Sequence, residues 1–93
     1  AFVADFAAAR VDRLIHNAGV LPEQRQLTTD GIELTLATNV VGPFLMTELL
    51  RPKLAAAGDA RVIYVSSGGM YSQRLALDDL DWRTRPFDGV AAY

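Results

Sequence analysis

The chain reads as an α/β protein whose strands lie parallel in a layered sheet. Three observations lead there. Two short β-branched runs each close on small polar residues, a long amphipathic helical stretch separates them, and helical signals flank the pair. The order helix, strand, helix, strand, helix implies right-handed crossovers, with strands side by side and helices on the sheet faces.

Taken in order, residues 1–10 are alanine-rich and place Phe2, Val3 and Phe6 on one side, as at the end of an amphipathic helix. Val11–His16 is a short apolar run interrupted by charges. It fits a buried strand entering a tight turn at Asn17-Ala18-Gly19, although Arg13 sits awkwardly in its middle. Residues 21–30 are polar, hold Pro22 and read as a loop. A long helix is expected from about Gly31 to Ala57. Leu36, Val40 and Phe44 form one row at four-residue spacing, and Ala37, Val41, Leu45 and Leu49 form the next. Gly58 suits its C-cap.

Arg61–Ser66 contains Val62-Ile63-Tyr64-Val65, a run typical of a strand covered on both faces. Gly68–Pro86 is too long for an ordinary turn, so it is either a functional lid or partly structured. Asp88 suits the N-cap of a helix beginning near Gly89. Two strands cannot build a stable parallel sheet with helices on both faces, so further strands are expected outside these 93 residues.

Composition narrows the function classes. A net charge of −2 with mixed signs argues against nucleic-acid binding, which needs a basic face. The absence of cysteine excludes disulfides, thiolate nucleophiles and cysteine metal sites. It is compatible with an intracellular protein, and the cytoplasm is the expected compartment. No segment is apolar enough for long enough to span a bilayer, and no membrane attachment is visible. The start carries no initiator Met and no signal-like run, so both ends read as cut.

In an open α/β sheet, ligands sit outside the carboxyl ends of the strands. Asn17-Ala18-Gly19 and Ser66-Ser67 occupy that edge, and their small side chains allow a flat cofactor to approach the backbone. Each alone reads more readily as a strand-ending turn or a capped loop than as a site; together they favour a site. Asn39 lies in the apolar half of the long helix, where an amide needs partners. Pro43, four residues on, has no N–H, so it frees the carbonyl of Asn39, and Gly42 eases a kink. That is either a tolerated kink or an exposed acceptor for a water. Pro52 does the same to Glu48 near the helix end.

Tyr93 has a phenol that needs a neighbouring cation to exchange protons near neutral pH, such as a lysine one helical turn later or an oxidised nicotinamide ring. The same tyrosine also reads as a half-buried aromatic. His16 reads as structural. Asp78, Asp79 and Asp81 lack the spacing of a calcium loop and read as a solvated acidic surface, and no metal site is expected. Met70, Tyr71, Leu75, Leu77 and Trp82 could line an apolar substrate pocket or pack the long connection onto the sheet.

These residues resemble the short-chain dehydrogenase/reductases, and the resemblance covers nearly the whole chain. His16-Asn17-Ala18-Gly19 is similar to the family's Asn-Asn-Ala-Gly signature, with histidine replacing the first asparagine. The stretch from Asp30 to Thr35, leading to Thr38-Asn39-Val40-Val41-Gly42-Pro43-Phe44, resembles the helix carrying the active-site asparagine. Val65-Ser66-Ser67-Gly68 resembles the fifth strand, whose second serine is catalytic. Tyr93 matches the tyrosine of the tyrosine-x-x-x-lysine motif. The long separation of Ser67 from Tyr93, closed by Phe87-Asp88-Gly89-Val90-Ala91-Ala92-Tyr93, is similar to the retinol-dehydrogenase-like branch.

The resemblance implies the central part of a single NAD(P)-binding, Rossmann-like, doubly wound parallel sheet, from about strand 4 to the start of the helix after strand 5. It implies an alcohol–carbonyl oxidoreductase using NAD or NADP. Tyr93 would act as acid/base, Ser67 would orient the carbonyl, and the Asn39 carbonyl would hold a relay water. Asn17, Ala18, Gly19 and Ser66 would line the cofactor. The implied substrate is a small, fairly apolar alcohol or carbonyl, and a homodimer is one implied assembly. A non-catalytic dinucleotide-binding or protein-interaction module that kept the fold is the alternative.

Overall fold

The structure, a computed structural model, describes residues 2–93; the part of the first helix expected at Ala1 lies outside them. The chain forms two compact units, one comprising the residues up to Asn17 with Pro43–Val65, the other Ala18–Gly42 with Ser66–Tyr93.

In the first unit, helix α1 (Phe2–Asp5) precedes strand β1 (Arg13–His16), and helix α3 (Gly42–Ala57) precedes strand β2 (Arg61–Tyr64). The strands pair in parallel, with Arg13 opposite Arg61 and His16 opposite Tyr64. This is the parallel α/β arrangement expected of a Rossmann-like fold. Strand β1 begins at Arg13 rather than Val11, because the Val11 N–H is drawn to the Lys53 carbonyl at 3.0 Å. Arg13 is exposed, and its guanidinium bonds the carbonyls of Asp12 and Asp59 at 2.7 and 2.8 Å, so it does not interrupt a core.

The core of this unit is Val11, Leu50 and Leu54, with Val3, Phe6, Leu14, Met46 and Ala60 packed against it. Met46, Leu50 and Leu54 form one row of α3, spaced four apart. The rows singled out by periodicity do not: Phe44, Leu45 and Leu49 are exposed. Strand β2 was expected to be covered on both faces, yet Val62, Ile63, Tyr64 and Val65 are all exposed. Among the described residues only β1 pairs with it.

In the second unit the long helix begins at Leu34, three residues later than expected, as helix α2 (Leu34–Leu36). A tight turn occupies the earlier residues. The Gly31 N–H reaches the Thr28 carbonyl, the Thr28 N–H reaches the Ile32 carbonyl, the Ile32 N–H reaches the Thr28 hydroxyl, and Gly31 takes φ +80°. Glu33, 1% exposed, caps the helix by accepting from the N–H groups of Thr35 and Leu36 at 2.8 and 2.9 Å. Residues Ala37–Val41 are π-helical, and helix α3 follows. Gly58 takes φ +74° after α3, as its expected C-cap role requires.

The long connection is partly structured. A 3₁₀ turn spans Gly68–Ser72. Asp79 and Trp82 adopt the left-handed region at φ 61° and 57°. Asp88 caps helix α4 (Gly89–Ala92), as its position predicted, accepting from Val90 and Ala91 N–H at 3.1 and 3.2 Å.

Candidate functional site

Asn39 is held by a pair of bonds that use both ends of its amide. Its Oδ1 accepts from the Val20 N–H at 2.9 Å, and its Nδ2 donates to the Val20 carbonyl at 3.1 Å. The side chain therefore fixes the turn after Ala18-Gly19, and a Cβ on Gly19 would meet Asn39 Oδ1 at 3.5 Å. With its side chain turned onto Val20, the main-chain carbonyl of Asn39 is the group the helix break offers for other work.

The π-helical register alters which carbonyls are free. The Gly42 N–H, which an α-helix would direct to Thr38, goes to Ala37 instead. Pro43 supplies no N–H to either Asn39 (four residues back) or Thr38 (five back). Thr38 is left with neither donor, and Asn39 with only the Phe44 N–H five residues on. The sequence located the break at Gly42-Pro43; it did not reveal that two adjacent carbonyls are affected. Single-turn π-bulges of this kind recur at functional sites.

Asn39 and Tyr93 line one cavity of about 160 Å³, together with Leu36, Val40, Trp82 and Arg85. Gln73, Arg74, Leu75 and Leu80 also border it, so its wall mixes apolar and cationic groups. Tyr93 is half exposed and also borders a more open groove with Met70 and Tyr71. Met70, Tyr71 and Leu77 do not line the Asn39–Tyr93 cavity, whereas Leu75 and Trp82 do. The Arg85 guanidinium lies 3.7 Å from the Trp82 ring centroid, a stacked cation–π contact that holds both against the cavity wall.

Ser67 belongs to the same unit but does not line that cavity. Its Oγ accepts from the Gly69 N–H at 3.2 Å, capping the 3₁₀ turn. An accepting hydroxyl keeps its own proton to donate. Ser66 points elsewhere, donating to Met70 Sδ at 3.6 Å.

Asn17, Ala18 and Gly19 are exposed and follow the carboxyl end of β1 directly. Small, exposed residues at that edge, with Gly19 drawn close to the Asn39 amide, suit the close approach of a flat dinucleotide. Asn17 falls in the first unit and the other site residues in the second.

The acidic trio has structural work. Asp79 accepts from the Arg83 and Thr84 N–H groups at 2.7 and 3.1 Å and from the Thr84 hydroxyl at 2.8 Å. Burial acts to raise its carboxyl pKa, but these bonds and the Arg85 charge outweigh it and hold the group below its ordinary value. Asp81 accepts from the Glu33 N–H at 3.2 Å, and its carbonyl takes the Arg25 Nε–H at 2.8 Å. In the sequence these acids look like solvated surface; in the structure the left-handed turn at Asp79 brings its carboxylate to the backbone. Asp78 has no such bond among the described residues.

Comparison with known proteins identifies the family. Residues 2–75 match the family described as short chain dehydrogenase. Dehydrogenase/reductase SDR family member 12 from Homo sapiens is 46% identical over 80 residues, covering 86% of this chain and 25% of that protein. Retinol dehydrogenase 13 from Homo sapiens is 43% identical over 84 residues, covering 90% of this chain and 25% of that protein. A crystal structure of an uncharacterized protein from Mycobacterium paratuberculosis aligns with a TM-score of 0.84 at 38% identity, covering 99% of this chain and 32% of that one. The chain spans about a quarter of the length of the curated relatives it matches. It belongs to the short-chain dehydrogenase family, and its resemblance lies toward the retinol-dehydrogenase-like members.

Proposed function

We propose that this chain carries the catalytic segment of an NAD(P)-dependent oxidoreductase that interconverts an alcohol and a carbonyl. The observation that carries the reading is that the Tyr93 phenol and Asn39 border one cavity, next to a break in the helix that leaves a carbonyl without its α-helical donor. Family membership supports it.

Tyr93 exchanges the proton of the substrate hydroxyl. Ser67, which accepts from Gly69 yet retains its proton, donates to the carbonyl oxygen and orients it. The Asn39 carbonyl accepts from a water that relays protons away from the phenol. Asn17, Ala18, Gly19 and Ser66 line the nicotinamide cofactor, which when bound supplies or accepts the hydride. The proposed substrate is a small, fairly apolar alcohol or carbonyl, in keeping with Leu36, Val40, Leu75, Leu80 and Trp82 around the cavity.

In the enzyme carrying this chain, Tyr93→Phe is expected to lower kcat by about 10²–10⁴-fold, the usual range for a lost general acid/base. Cofactor binding, followed by nucleotide fluorescence, should change little. Turnover that survives the substitution would remove Tyr93 from the mechanism.

A further inference from the structure

The structure assigns a positioning role to Thr47, a residue on α3 outside the proposed catalytic set. Its hydroxyl has three neighbours: the Pro43 carbonyl at 2.9 Å, His16 Nε2 at 2.8 Å and the Tyr64 hydroxyl at 3.0 Å. A threonine hydroxyl carries one proton and two lone pairs. The proton goes to Pro43, since a carbonyl can only accept. Both other contacts must then be received by Thr47, so His16 carries its proton on Nε2 and Tyr64 donates its phenolic proton. The hydroxyl is fully used, and His16 carries a proton on Nε2.

The two donors are not arbitrary. His16 is the last residue of β1, Tyr64 the last of β2, and they are opposite each other in the parallel register. Their rings also stack at 4.7 Å between centroids. Thr47 thus bolts the carboxyl ends of both strands to one point on α3. Ligands of such sheets bind at that edge, and the residue after His16 is Asn17. We infer that Thr47 holds the strand end that presents Asn17 to the nicotinamide cofactor; the inference rests on the reading of the chain as an NAD(P)-dependent oxidoreductase.

The test compares Thr47→Val and Thr47→Ser in the enzyme carrying this chain, measuring cofactor Kd, kcat at saturating cofactor and the Tm. Valine keeps the shape but leaves two donors without their acceptor. Cofactor Kd is expected to rise about tenfold, equivalent to ~1.4 kcal/mol, while kcat at saturation stays within about twofold; serine should restore Kd. A Tm loss with unchanged Kd, or a Kd defect that serine does not rescue, would overturn the inference. Where Thr47→Val does not fold, Tyr64→Phe removes one donor from an exposed position and should raise Kd by a smaller factor; an unchanged Kd there counts against the role. Ring-nitrogen NMR of His16 should report a proton on Nε2, and a bare Nε2 would contradict the proton count. An unsubstituted enzyme that binds neither NAD nor NADP would instead defeat the functional reading itself.

Discussion

At the scale of single residues, the chemistry-bearing side chains are mostly spoken for by the backbone around them. The Asn39 amide is spent on Val20, and the Ser67 oxygen accepts from Gly69. Asp79 shows the same economy and carries a measurable pH dependence. Its carboxyl pKa is depressed in the folded chain, so it binds protons less readily than when unfolded. The stabilisation is therefore complete above the ordinary value near 3.8 and is lost as pH falls through the lower folded value. In the enzyme carrying this chain, urea midpoints taken between about pH 5 and pH 2 should fall more steeply than those of Asp79→Asn. Parallel curves would mean that the turn at Asp79 adds nothing to stability. The candidate residues were legible in the sequence: Asn39, Ser67 and Tyr93 stood out by their setting. Partners such as Val20 and Thr47 did not, because nothing in a lone threonine on a helix announces three hydrogen-bond neighbours.

At the scale of elements, the long helix is where sequence and structure differ most. Its far end and its Gly58 cap fell where expected, since a glycine at positive φ is a strong local signal. Its start did not, because the Thr28–Ile32 turn claims Gly31 first and the cap is Glu33, a residue outside the usual short-side-chain capping set. The π-helical stretch was hidden for another reason. Four- and five-residue pairing differ only in which N–H each carbonyl takes, and no side-chain pattern records that choice. Pro43 ties this register to the proposed chemistry. Pro43→Ala would return an N–H that the carbonyl of Asn39 or Thr38 can accept, worth about 0.5–1.5 kcal/mol. The expected result is a more stable helix and a lower kcat in the enzyme carrying this chain. A stabilised variant with unimpaired kcat would free the Asn39 carbonyl from its proposed relay role.

At the scale of the whole chain, apolar surface is abundant and buried apolar surface is scarce. Among the described residues, the buried hydrophobic ones are Val11, Leu50 and Leu54 in one unit and Trp82 in the other. Along β2, alternate residues point to opposite faces, so exposure of Val62, Ile63 and Tyr64, with Val65 just after the strand, leaves apolar surface on both faces. The exposed row Phe44, Leu45 and Leu49 on α3 adds to it. Residues of this kind gain roughly 1.5–3 kcal/mol each when covered, a gain these 93 residues do not collect among themselves. A two-stranded parallel sheet is also below the size that stands alone in water. That the β-branched run reads as a doubly covered strand, and that the chain spans about a quarter of its relatives, point the same way. The 93 residues on their own should therefore melt without a cooperative heat-absorption peak and should bind a hydrophobic dye such as ANS, as loosely packed states do. A sharp two-state transition shifted to higher temperature by added NAD or NADP would show instead that the segment is self-sufficient, and that the exposed strand and helix faces need no covering layer.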